Sequence, residues 1–133
     1  MFKPYTPFSQ IKITAHTARV YPVDYAVLMH IDNNQNNANY EDLEVFQDSL
    51  GALILRATKN NTQTHDINFG VYPPGADFDL TIGLNGNILS GQLNNGAPIK
   101  KIIPLLTLTH ERWGHNIANN RAWGGRLKKL AIS

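Results

Sequence analysis

The chain has 133 residues, 12 Lys/Arg against 10 Asp/Glu for a formal net charge of +2, and no cysteine. That length suits one domain with a real core, and the lack of cysteine excludes disulfide staples, thiolate metal sites and cysteine nucleophiles. Charged residues are 17% of the chain, below the roughly 25% usual for soluble domains.

Fifteen Asn against three Glu supply much of the polarity. Such a surface suits a subunit pressed against copies or partners, and equally an ordinary protein from an AT-rich genome. Charge is split along the chain. From Ala97 onward seven Lys/Arg face one acid, a balance of +6, while the first 96 residues carry −4. A basic end on an acidic body implies an anionic partner for that end, or pairing with the acidic face of a neighbouring copy.

Residues 1–9 hold Phe2, Tyr5 and Phe8 between Pro4 and Pro7, which reads as an extended arm and not a central strand. This stretch has no apolar run of signal-peptide length, and no later segment approaches about 20 apolar residues. The expectation is a soluble chain with no membrane partner. Ile11 to Tyr21 and Tyr25 to Ile31 read as two strands joined by a tight turn at Pro22-Val23-Asp24. Residues 32–39, rich in Asn, form a surface loop.

Tyr40 to Lys59 has helical spacing, with Leu43, Phe46, Leu50, Leu53, Ile54 and Ala57 recurring every three or four positions. Asn39 offers an N-cap. Glu41, Asp42 and Glu44 fall in the first turn, and Arg56 and Lys59 in the last, as the helix dipole prefers. The spacing therefore predicts a helix over 40–59. The competing reading breaks it at Ser49-Leu50-Gly51 and makes Ala52 to Thr58 a strand.

His65 to Tyr72 reads as a strand, followed by a turn at Pro73-Pro74-Gly75. Phe78, Leu80, Ile82 and Leu84 then alternate with polar or small residues, and Asn85-Gly86 supplies a type I′ turn. That turn sets Ile82 against Leu89 and Leu80 against Gly91. The apolar face of this hairpin is expected to pack on the Leu43–Ala57 stripe. Its acidic rim, Asp77 and Asp79, is expected to receive the basic C-terminal segment of another copy. Ile99 to Thr109, broken by Pro104, is an edge strand or a linker. Residues 97–133 form a basic C-terminal segment, read as short helices interrupted by glycines. The fold expected is a single α+β domain over 1–133, with a mostly antiparallel sheet of about five strands. The alternative is an all-β sandwich or barrel.

Candidate chemistry is sparse. His110 and His115 lie five apart, which would place them about 140° apart on a helix and not on the shared face of a zinc motif. His16, His30 and His65 fall in strands, where Asp24, Asp66 or Glu111 could orient one as a general base. No nucleophile accompanies them, and no Gly-rich phosphate loop is present. Arg112, Trp113, Arg121, Trp123 and Arg126 interleave cations with indoles. That pattern suits stacking on a nucleic acid, anchoring of a protein interface, or simple docking on the sheet.

The leading expectation is a non-enzymatic structural or assembly subunit, of the type found in viral or phage particles. It would form homo-oligomers or a multi-protein assembly through Phe2, Tyr5, Phe8, Arg112, Trp113, Arg121, Trp123 and Arg126, with no cofactor and no metal. The alternative is a nucleic-acid-binding module using the C-terminal Arg/Trp segment. A third reading is a histidine-dependent hydrolase or metal-binding enzyme.

Overall fold

The computed structural model describes residues 2–4, 8–118 and 120–133. Its strands are β1 (Phe2–Pro4), β2 (Gln10–His16), β3 (Tyr25–Asp32), β4 (Asp42–Asp48), β5 (Ala52–Lys59) and β6 (Gln63–Val71), then β7 (Asp77–Asn85), β8 (Ile88–Leu93), β9 (Ile99–Ile102), β10 (His110–Trp113) and β11 (Arg126–Ile132). They form two antiparallel sheets, ordered β1-β10-β3-β4-β5-β6 and β11-β2-β7-β8-β9. Among the described residues there is no helix. The α+β expectation is therefore overturned, and the chain is an all-β sandwich.

Alternation along the strands builds the core. Ile11, Ile13 and Ala15 of β2, Phe78, Leu80 and Ile82 of β7, and Leu89 of β8 turn inward from one sheet. Met29, Ile31, Leu43, Val45, Leu53, Leu55, Ala57 and Ile67 meet them from the other. All are buried, and each large side chain withdrawn from water contributes about 1.5–3 kcal/mol. This packing joins the β7–β8 hairpin to the Leu43–Ala57 residues in one cluster.

The helix expected over 40–59 is instead the β4–β5 hairpin. The helical period arose because apolar residues occupy both faces of these strands. Val27, Phe46, Ala52 and Ile54 form a second buried cluster on the outer face, so the period of two is obscured. The charges that resembled dipole partners are cross-strand neighbours: Glu44 lies opposite Arg56, and Lys59 Nζ is 2.8 Å from Glu41 Oε2. Gly51 makes the turn at φ +93°, where Asp48 Oδ1 accepts hydrogen bonds from the Leu50 and Ala52 amides.

Three further expectations are corrected. β2 and β3 are not a hairpin; the chain crosses between sheets through residues 17–24. The β7–β8 register is Leu84↔Leu89, Ile82↔Gly91 and Leu80↔Leu93, two places from the expected one. The loop is thus Gly86-Asn87, with Gly86 at φ +60°, as a type II′ turn requires. A shift of two preserves which face each side chain occupies, so alternation could not separate the registers. The helical C-terminal segment is β10, a loop over 114–125, and β11, which pairs with β2. Lys128 on β11 reaches Asp77 Oδ2 at 3.1 Å, so the basic segment meets the acidic rim within one chain.

Gly51→Ala tests the turn against the helix. A helix interior would gain about 1 kcal/mol from this change. At φ +93°, with the added Cβ only 2.5–2.8 Å from the Tyr21 ring, the expected result is a loss of about 1–3 kcal/mol in urea unfolding.

Candidate functional site

The outer face of the six-stranded sheet is where this chain collects its unusual chemistry. Because β3 and β4 alternate, His30 and Asp32 share that face, as do Asp42 and Glu44. The antiparallel register sets His30 opposite Glu44 and Asp32 opposite Asp42, while Glu44 and Asp42 face Arg56 and Thr58 of β5. A concavity of about 320 Å³ opens over these strands, with Tyr25, Tyr40, Asn61 and Thr64 also on its wall. Its rim is Asn116, Ile117 and Ala118, carried by the loop after β10. That loop is tied down by Gly114 N donating to Leu28 O and Val27 N donating to Arg121 O, both at 2.8 Å.

Beneath the concavity lies a buried polar network. The Arg112 guanidinium donates to both oxygens of Asp32, at 2.7 and 3.2 Å. His30 Nδ1 lies 3.1 Å from Glu44 Oε2, and its Nε2 lies 3.1 Å from the Tyr40 hydroxyl and 3.3 Å from Asp32 Oδ2. The Tyr40 hydroxyl donates to Asp42 Oδ2 at 2.6 Å. Asp42 Oδ1 is buried with no donor in full hydrogen-bonding geometry, although the Thr58 hydroxyl approaches the same carboxyl. Leaving such an acceptor unmet costs about 1–3 kcal/mol.

Burial alone would lower the His30 pKa. The Glu44 hydrogen bond and the charges of Asp42, Glu44 and Asp32 outweigh it, and the imidazolium is favoured. Burial, reinforced by the Glu44 charge, pushes Asp42 up to about 7. One imidazole and two carboxylates thus place ligand-type atoms within 4.8 Å of one another, at His30, Asp42 and Glu44. These are the residues that could hold a cation.

Of the expected histidines, His30 alone joins this group. His16 Nδ1 sits 2.6 Å from Asp77 Oδ1 on the other sheet. His65 lies on β6 opposite Ala57. His110 contacts the Thr109 hydroxyl, and His115 the Asn116 carbonyl. The expected partner-binding residues are scattered. Arg112 is committed to Asp32. Trp113 and Trp123 are partly buried against the core, donating to Glu111 Oε1 and His16 O respectively. Arg121 pairs with Asp24 at 2.9 Å and lies over the Tyr25 ring. Arg126 is exposed on β11 and Phe8 packs against the core. The backbone of Phe2 belongs to β1, opposite Arg112, and Tyr5 lies outside the described residues. Tyr40, Asp42, Glu44 and Arg56 went unrecognised as site residues. The available signal was Asp-x-Glu and His-x-Asp spacing, which puts both members on one face of a strand.

No protein-family model matches the chain, and no curated protein matches its sequence. Solved structures do match its fold. The CBM40 domain of a Ruminococcus gnavus IT-sialidase superposes with a TM-score of 0.70 at 9% identity, covering 94% of this chain and 74% of that one. The same domain has been solved bound to α2,6- and α2,3-sialyllactose. A human galectin-16 double variant gives a TM-score of 0.68 at 11% identity, over 100% of this chain and 94% of that one. Chicken galectin 2 gives 0.61 at 8%, over 99% and 97%. At such identities the likeness establishes the sandwich fold. None of these neighbours is a viral or phage particle component, so the likeness lends that expectation no support. Among the described residues no helix is long and apolar enough to cross a membrane.

The network sets a sign for pH dependence. Asp42 keeps a proton in the fold from its ordinary value of 3.8 up to about 7, where the unfolded chain has shed it. His30, raised above 6.5, likewise stabilises the fold below 6.5 and loses that contribution as pH climbs through its folded value. Asp42 makes stability fall as pH rises from about 4 to about 7, and His30 adds its own fall above 6.5, by up to about 1.4 kcal/mol per pH unit for each proton retained. Thermal unfolding followed from pH 5 to 8 in chelator-containing buffer should show this decline, flattened in Asp42→Asn. A flat or rising wild-type profile would contradict it.

Proposed function

We propose that this chain is a non-catalytic carbohydrate-binding domain whose site is the cleft over β3–β6. The observation that carries the reading is the cleft itself. Tyr25, Asp42, Glu44 and Arg56 on paired strands, with Tyr40, Asn61 and Asn116 on the flanking loops, bring acceptors, donors and aromatic rings to one concave surface. A saccharide needs that combination, because its hydroxyls demand several directed hydrogen bonds while its ring faces stack on apolar or aromatic surface. A site built to hydrogen-bond hydroxyls discriminates strongly, since its own buried polar groups are left unpaired without them. Strands hold such groups more rigidly than loops do.

Arg56 shows how the positioning works. Its guanidinium is held by Asp66 at 2.7 and 2.9 Å and lies 5.0 Å over the Phe46 ring, so its fork is fixed before any ligand arrives. The fold neighbours support the reading in kind, one of them having been solved with sialyllactose bound. The polar floor of the cleft suits the binding of a ligand rich in hydroxyls.

The test is a screen of sialylated and neutral oligosaccharides by titration calorimetry. At least one class should bind, and Arg56→Ala should weaken it by at least about tenfold, which is about 1.4 kcal/mol. If no saccharide binds, or if the protein instead binds oligonucleotides with a steep salt dependence, the proposal is wrong.

A further inference from the structure

We propose that His30, Asp42 and Glu44 form a binding site for a first-row divalent transition-metal ion of the Zn²⁺ class, with one coordination position open to the cleft. Four observations carry this. The first is spacing. Four-coordinate zinc with bonds of about 2.0–2.2 Å has ligand atoms about 3.4 Å apart along each tetrahedral edge. His30 Nδ1 is 3.1 Å from Glu44 Oε2 and 3.6 Å from Asp42 Oδ2, on either side of that value. The three residues need little movement to close on one ion.

The second is the unmet acceptor. Asp42 has a side chain 1% exposed, lines the cleft, and keeps Oδ1 without a donor in full hydrogen-bonding geometry. Neighbouring side chains complete the other members of the network, and a bound cation would complete this oxygen.

The third lies behind the ligands. A histidine that coordinates metal through one nitrogen nearly always donates its other N–H to a carboxylate or similar acceptor, and ligating carboxylates are themselves hydrogen-bonded. Here His30 Nε2 faces Asp32 Oδ2 at 3.3 Å and the Tyr40 hydroxyl at 3.1 Å. Asp32 is held by Arg112, and Asp42 Oδ2 receives the Tyr40 proton. The outer shell that fixes the imidazole for coordination through Nδ1 is already in place.

The fourth is charge. Asp32 is balanced by Arg112 and Arg56 is engaged by Asp66. A metal bound here displaces the protons that these ligands hold, and a divalent charge then matches the two carboxylates of Asp42 and Glu44. One imidazole with two carboxylates suits zinc and its first-row neighbours. Calcium prefers an all-oxygen shell of six to eight ligands, and the imidazole nitrogen of His30 at the centre of this group favours the zinc class instead.

This inference does not depend on the carbohydrate reading, and its test contains no saccharide. Equilibrium dialysis of the full chain against buffered Zn²⁺, with binding that strengthens as pH rises because protons compete with metal for these ligands, should show one saturable ion per chain. Asp42→Asn and Glu44→Gln should each weaken binding by at least about 100-fold. Asp32→Asn, which leaves the three ligands intact, should weaken it by about tenfold. His16→Gln, on the opposite sheet, should leave it unchanged. If Asp42→Asn fails to fold, Glu44→Gln carries the same inference. No saturable binding by the wild type, or binding indifferent to both Asp42→Asn and Glu44→Gln, would overturn the proposal.

Discussion

Asp32 sits fully buried on β3, where a lone carboxylate would cost several kcal/mol. The Arg112 guanidinium from β10 closes on both its oxygens and removes that penalty. The pair does more than balance charge. It joins β10 to β3 beyond their backbone ladder and holds Asp32 Oδ2 beside His30 Nε2. The imidazole is thereby aimed with Nδ1 toward Glu44, and the rest of the outer-face network follows. The same side chain that the sequence suggested as a partner anchor is thus an internal brace.

How much of this could be read from the sequence depends on whether each strand buries one face or two. β7 is a one-sided strand, so Phe78, Leu80 and Ile82 alternate cleanly and both the strand and its facing were legible. β4 and β5 carry buried apolar residues on both faces, in the core on the inside and at Phe46, Ala52 and Ile54 against Val27 and Tyr25 on the outside. Their apolar residues lost the period of two and acquired an accidental helical one. The charges compounded the error: acids on one strand opposite bases on the next resemble a helix with its dipole satisfied at each end. Gly51 was the contrary signal, a poor helix residue at the place where the hairpin turns.

The candidate site was less legible than the fold, for a related reason. Its members are pairs two apart on two strands, brought together by register, and the register of β3 on β4 includes an irregularity between Val27 and Met29. No one-dimensional motif expresses that arrangement. The histidine pair that did resemble a motif, His110 and His115, straddles the end of β10 and the turn after it, where no helix face exists to share. A β-sandwich of this type carries many unrelated functions, so the functional argument rests on the cleft and its buried network.

The five-stranded sheet is completed by β11 lying along β2, and the last carbonyl of that pairing, on Ser133, accepts from the Ser9 and Gln10 amides. Ser9 and Ser133 are 124 positions apart. Closing so long a loop must be done before its contacts return anything, which places this topology among the slow folders, in the millisecond-to-second range. Until it closes, β2 is an open sheet edge with its outward backbone N–H and C=O groups unpaired. Before β11 docks, that edge can pair with another chain, and the Lys and Arg residues carried on β11 charge the edge that eventually faces water.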